Sequence, residues 1–139
     1  MATEARLSIP MRRIAGIVAI FSVFLAGSAL LGHHSLSAVF DTTTKVTLTG
    51  TLTKIDWRNP HIELSLDAMG DGGRIEAWVL QGAPPFFFRD RSISKSRFEN
   101  ALGQTVTVEA HRARNGTRLG ALLKVTFPDG SSVIVVPNA

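Results

Sequence analysis

An all-β domain with small helical content is the fold class that the sequence predicts: an antiparallel barrel of five or six strands, with one short helix between strands 3 and 4. Two observations carry this prediction. Apolar and polar residues alternate in several short segments separated by turn residues, and a helix-capping pattern lies between the third and fourth segments. This order of strands and helix is that of the OB-fold, here with one additional C-terminal strand. A plain antiparallel barrel or a sandwich is the alternative.

The first strand is predicted over residues 45–58, where apolar residues alternate with threonines. Gly50 lies in phase with the apolar residues, and the alternation then shifts by one position before Ile55 and Trp57. A one-residue shift together with an interior glycine predicts a bulged, strongly bent strand, as at the corner of a barrel. Asn59-Pro60 ends the strand.

The remaining elements follow from the same kinds of pattern. Ser96 and Glu99 have the spacing of a capping box and predict a helix of about two turns, which Gly103 would end. Apolar-polar alternation predicts five further strands, over residues 62–66, 74–80, 105–111, 122–127 and 132–136. Since the chain contains no cysteine, its core rather than disulfides must stabilise the domain.

The N-terminal residues 1–32 are predicted to be a secretory signal peptide. Arginines precede residues 14–31, which carry no charge and end in small residues. An uncleaved inner-membrane anchor is the alternative, because this apolar segment is just long enough to cross a bilayer. The sequence therefore predicts a periplasmic or secreted domain, with a flexible arm over residues 33–44 and the barrel over residues 45–136.

The charge of the chain divides at the same boundary. The net charge of +4 includes three arginines and one glutamate of the predicted signal peptide, so the rest of the chain carries +2. Its cations are dispersed along the sequence, which argues against a nucleic-acid partner. A membrane partner is expected only if the N-terminal segment stays uncleaved. The missing cysteines also exclude thiolate catalysis and cysteine-based metal centres.

Three short motifs resemble an uncharacterised family of small exported bacterial proteins, a domain of unknown function. They are His33-His34-Ser35, Thr49-Gly50-Thr51 and Trp57-Arg58-Asn59-Pro60-His61. These motifs are similar to the family's His-His-Ser start, its Thr-Gly-Thr strand and its Trp-x-Asn-Pro-His turn. The resemblance implies export and a small β-domain, and it adds no chemistry.

The turn after the first strand is the predicted ligand site. Trp57, Asn59, His61 and Glu63 combine an aromatic ring with polar side chains, and we expect them to bind a small ligand or a periplasmic partner protein. A structural role, in which the first three of these residues fix a tight strand connection, is the alternative. The first function hypothesis is therefore an exported, non-catalytic binding or accessory module.

The histidines suggest a second function, that of a periplasmic metal-binding protein. His33 and His34 lie near the predicted new N-terminus. With the α-amine, or with His61, they could bind a divalent transition metal such as Cu(II), Ni(II) or Zn(II). A polar, flexible tail is the alternative for this segment. No other cofactor is indicated.

An uncharacterised enzyme is the third hypothesis. Asp56 and Glu63 could converge as a carboxylate pair across the turn between them, and Glu109 and His111 lie two residues apart on one predicted strand face. The sequence contains no nucleophile elbow, zinc-protease helix, phosphate loop or dinucleotide fingerprint. We therefore predict no catalytic residues.

Phe86, Phe87 and Phe88 are the last candidates. Three consecutive residues of an extended segment cannot all face inward, so at least one must cover a barrel end or be exposed. A hydrophobic plug at the barrel end is the prediction. An exposed ring would instead form a contact surface for a protein, a lipid surface or an apolar ligand.

Overall fold

The computed structural model describes residues 36–135. The predicted signal peptide and positions 33–35 of the predicted arm lie outside the described residues. The described chain forms six strands: β1 (Val46–Asp56), β2 (Glu63–Met69), β3 (Ile75–Gln81), β4 (Thr105–Arg112), β5 (Leu119–Thr126) and β6 (Ser132–Ile134). They lie in one sheet in the order β3-β2-β1-β4-β5-β6.

The sheet closes into a barrel because β3 also pairs with β5. This closing pair is parallel and joins residues 79–81 to residues 119–121, whereas the other five pairs of described strands are antiparallel. The parallel pair differs from the predicted antiparallel arrangement, because the chain crosses the barrel end between β3 and β4 before it returns in β5. The closed five-stranded barrel with one added strand confirms the predicted OB-fold-like class.

The first strand has the predicted irregularity. Its pairing with β2 shifts register between Leu52 and Lys54. Gly50 lies just before this shift and pairs with Ala68 of β2 on one side and with Val106 of β4 on the other. One continuous strand therefore contributes to both halves of the barrel, as a bent barrel strand does.

Alternate residues of the strands face inward, and those are the apolar residues of the predicted pattern. The fully buried strand residues of the core include Leu52, Leu64, Leu66, Leu80, Val106, Val108, Leu122 and Val125. The predicted alternation thus becomes the division between the inside and the outside of the barrel.

In the described part of the chain, three short α-helices accompany the strands, α1 (Leu36–Val39), α2 (Pro85–Arg89) and α3 (Lys95–Glu99), and a single 3-10 turn (Asp71–Gly73) connects β2 to β3. The predicted helix is α3, but it follows Ser94 and has no side-chain capping hydrogen bond, so the capping box predicted at Ser96 does not form. No predicted element corresponds to α2, in which Pro85 occupies the first turn, where a missing N–H costs no helical hydrogen bond. Within residues 36–135, no helix has the length and apolar character needed to cross a bilayer.

The first described residues pack on the outside of the barrel. Phe40 is buried against Ala113 and Ala121, and the Asp41 N–H donates a hydrogen bond of 2.9 Å to the Arg112 carbonyl oxygen. The sequence predicted a flexible arm here, but burial of the Phe40 ring attaches this part of it to β4 and β5.

A hydrogen-bonded turn then leads into β1. The Thr43 and Thr44 hydroxyls donate to the Asp41 carboxylate at 2.6 and 2.8 Å, and the Thr43 N–H donates at 3.1 Å. These bonds favour the charged carboxylate and lower the pKa of Asp41 to about 2. The Asp41 carboxylate therefore stays ionised at a lower pH than an ordinary aspartate does.

Candidate functional site

Trp57 follows β1 at the end of the barrel where α2 and α3 lie, and it is half-buried. The centroid of its ring lies 4.9 Å from that of Phe88 in α2 and 5.3 Å from that of Phe98 in α3. Phe88 and Phe98 meet edge to face at 5.7 Å. Two buried rings, one from each helix, thus support the indole and leave part of it exposed.

The exposed part of the indole borders a cleft of about 380 Å³, which we call the Trp57 cleft. The other lining residues come from α2, from the segment that follows it and from the start of α3: Pro85, Arg89, Ser92, Ile93, Ser94 and Lys95. The lining therefore combines an apolar surface with two hydroxyls and two cations. None of the lining residues is acidic.

Hydrogen bonds at the end of α2 hold the lining segment. The Ser92 N–H donates to the Arg89 carbonyl oxygen at 3.0 Å, and the Ile93 N–H donates to the Phe88 carbonyl oxygen at 2.9 Å. This pair of bonds is a Schellman motif, in which glycine normally occupies the left-handed position. Here that residue is Ser92, with a φ of 55°. A hydroxyl side chain thus borders the cleft at a position where glycine would be less strained.

The chain matches one known protein family, and the matched range covers the cleft. A family model described as a family of unknown function, DUF6152, matches residues 20–123. The chain belongs to this family. The matched range includes β1 to β4 and every residue that lines the Trp57 cleft, so the cleft lies within the DUF6152 region itself. The predicted relation to an uncharacterised family is confirmed. No curated protein and no solved structure matches the chain.

The four predicted ligand residues of the DUF6152 region do not share one site. Trp57 lines the cleft, whereas Asn59 is exposed in the turn. Glu63 accepts a hydrogen bond of 3.3 Å from the side-chain amide of the last residue of β3. The Nδ1 atom of His61 lies 3.2 Å from the Gly82 carbonyl oxygen. His61 therefore connects the turn to the end of β3, which agrees with the turn-fixing alternative.

The carboxylates considered for catalysis are neighbours across two strands. Asp56 and Glu63 are register partners in β1 and β2, but Asp56 forms an ion pair of 2.8 Å with Arg58, and neither carboxylate lines the Trp57 cleft. The other pair considered contacts separate residues: His111 lies 2.6 Å from the Thr44 carbonyl oxygen, and Glu109 lies 3.4 Å from Lys124.

The predicted metal ligands are only partly within the described chain. His33 and His34 lie outside the described residues, so the metal hypothesis stays a prediction. Among residues 36–135, no group of three histidine, aspartate or glutamate side chains converges in a way that could hold a metal ion.

The phenylalanine run is helical rather than extended. Phe87 and Phe88 are buried in the barrel end, and Phe86 is 53% exposed. The guanidinium carbon of Arg91 lies 3.8 Å from the centroid of the Phe87 ring and covers it from the solvent side. Two of the three rings therefore form a plug, and the third is available at the surface.

Most of the residues that line the Trp57 cleft are not among the predicted site residues. Arg89, Ile93 and Lys95 belong to a segment with neither alternation nor a recognisable motif. Pro84-Pro85 is the one local signal, because proline is favoured in the first turn of a helix. That signal could have located α2, but it could not have placed α2 beside Trp57.

Proposed function

We propose that this chain is an exported, periplasmic binding module without catalytic activity, and that the Trp57 cleft is its ligand site. The observation that supports the site is the aromatic support of Trp57: two buried rings hold an indole whose exposed part borders a cleft. A volume of about 380 Å³ is within the usual range for small-molecule sites.

A supported indole suits ligand binding for a physical reason. Trp57 contacts Phe88 and Phe98, so little side-chain entropy remains to be lost when a ligand packs on its exposed part. Pro85 and Ile93 extend the apolar surface. The cleft therefore suits a small ligand with a flat or compact apolar group.

The export half of the proposal rests on the N-terminal sequence and can be tested directly. The full-length chain should be expressed in a Gram-negative host, and its mass measured after fractionation. We expect a periplasmic product that lacks residues up to a cut near position 32. An intact chain in the cytosol would contradict export, and an intact chain in the inner membrane would favour the anchor.

The proposed ligand site predicts that small aromatic compounds bind next to Trp57 and not next to Trp78, the other tryptophan of the chain. Benzoate, benzyl alcohol and benzylammonium share one ring and differ in charge, and they can be titrated into ¹⁵N-labelled protein. Binding in the cleft should shift the indole N–H signal of Trp57 and leave that of Trp78 unchanged, since Trp78 is only 4% exposed in the core.

Two matched variants locate the binding. Trp57→Leu should weaken the binding of each compound that binds by about twofold to tenfold, the size of a lost aromatic contact. Because this variant lacks the Trp57 indole, the backbone amide signals of the lining residues Ser92 and Lys95 report binding in both variants. Phe86→Leu makes the same chemical change at an exposed ring outside the cleft and should leave affinity unchanged. If none of the three compounds binds, or if Phe86→Leu weakens binding as much as Trp57→Leu, the proposed site is wrong.

A further inference from the structure

We infer that the Trp57 cleft selects anions: small ligands in which a carboxylate or a similar negative group is attached to an apolar or aromatic body. This inference rests on the proposed function and adds the ligand class. Its basis is the asymmetry of the lining, in which Arg89 and Lys95 are cationic and no residue is acidic.

The net positive charge of the described domain arises in the helical segment that contributes most of the cleft lining. Residues 36–135 contain 12 basic and 10 acidic side chains, which gives a net charge of +2. Residues 85–99 alone contain four basic and two acidic side chains, so this one segment accounts for the entire excess. The rest of the described chain is neutral. Because Asp90 and Glu99 pair with the two lining cations, the excess charge comes from Arg91 and Arg97, which belong to the same segment but do not line the cleft. A net positive charge on this segment attracts anions and repels cations of the same shape.

The two cations remain available to a ligand. Arg89 approaches Asp90 with its Nε atom at 3.4 Å, and a guanidinium has further N–H donors at its far end. Lys95 forms an exposed ion pair of 2.8 Å with Glu99, and such surface pairs are weak. A ligand anion that also buries its apolar group against Trp57 can therefore compete with either internal partner.

The apolar and charged parts of the cleft define the ligand together. Trp57, Pro85 and Ile93 would contact the body of the ligand, and the cations would contact its charged group. The Ser92 hydroxyl adds a hydrogen-bond donor for an oxyanion. The Ser94 hydroxyl lies 2.9 Å from the Ser96 hydroxyl and can donate to a ligand when Ser96 is the donor in that pair. A neutral aromatic compound would gain the apolar contact only, and an ammonium compound would be repelled.

The test compares benzoate, benzyl alcohol and benzylammonium on the full described domain, by the Trp57 indole signal. Benzoate should bind most tightly and benzylammonium most weakly. The double variant Arg89→Gln/Lys95→Gln should weaken benzoate about threefold to tenfold, as two exposed charge contacts would, and should leave benzyl alcohol unchanged. Raising the ionic strength should weaken benzoate alone.

A matched double variant removes two cations elsewhere. Lys45 and Arg74 are exposed at the opposite end of the barrel, so Lys45→Gln/Arg74→Gln changes the net charge equally and should leave benzoate binding unchanged. If the three compounds bind equally, or if both double variants act alike, the anion inference is overturned while the proposed site stands. If benzylammonium binds best, the inference is likewise overturned. If no compound binds, both the inference and the proposed site fail.

Discussion

Replacing Phe88 by alanine is expected to lower the free energy of unfolding by about 3–5 kcal/mol, the usual cost of removing a buried aromatic ring. Phe88 is fully buried, and its ring contacts Phe87 at 5.2 Å, Trp57 at 4.9 Å and Phe98 at 5.7 Å between centroids. The substitution leaves a cavity at the centre of this aromatic cluster. Urea unfolding followed by circular dichroism measures the loss.

The matched control lies two residues earlier in the same helix. Phe86 is 53% exposed, so Phe86→Ala should change stability by no more than about 0.5 kcal/mol, as surface substitutions do. Equal losses for the two variants would contradict the arrangement of α2. Because Phe88 supports Trp57, the Phe88→Ala variant should also weaken binding in the Trp57 cleft under conditions in which it remains folded.

Phe86 and Phe88 differ in burial, and the sequence alone does not predict which of the two rings is buried. The strands could be predicted because each one repeats the same two-residue alternation, and because the inside of a barrel enforces it. The bend of β1 could be predicted from Gly50 and the shifted alternation. Three phenylalanines in a row have no such period, and which of them faces inward depends on where the helix packs.

The residues of the candidate site likewise divide into those that the sequence predicts and those that it does not. Trp57 could be identified because an aromatic ring beside the polar side chains of a turn suits ligand binding. Asn59, His61 and Glu63 are close to Trp57 in the sequence, but they do not line the cleft with it. The barrel instead brings Trp57 next to Arg89 and Lys95, which lie beyond two further strands. No pattern within one sequence encodes that contact, since it depends on the register that brings the ends of β1 and β3 to the same end of the barrel.

The aromatic cluster therefore joins stability to the proposed function. Phe88 and Phe98 complete the core at the barrel end, and the same two rings support the indole that borders the cleft. Substitutions in the buried part of the cluster should affect folding and binding together. Substitutions of Arg89 or Lys95, which are exposed, should affect binding alone. This separation allows the two roles to be measured in one set of variants.

The second large loss of stability is expected from a substitution at the bend of β1, where Gly50 lies against β2. A Cβ atom at Gly50 would overlap the carbonyl oxygen of Asp67 and lie 2.7 Å from the Cα atom of Ala68, and both are backbone atoms of β2. Neither can rotate away as a side chain could. β1 cannot move away from β2 toward β4 either, because Gly50 also pairs with Val106 of β4. Gly50→Ala must therefore separate β1 from one of its neighbours.

We expect Gly50→Ala to destabilise the domain by about 3 kcal/mol or more, at the upper end of the cost of overpacking a core. Thr47→Ala is the control, because Thr47 is exposed on the same strand and its loss should cost no more than about 1 kcal/mol, the span of strand propensities.

Urea unfolding midpoints of the two variants provide the comparison, and failure of Gly50→Ala to fold at all would agree with the prediction. A Gly50→Ala domain as stable as Thr47→Ala would mean that β1 and β2 do not approach each other as closely at this point. The closeness matters because the narrow passage at Gly50 allows one strand to pair with both β2 and β4, and because that strand leads directly to Trp57.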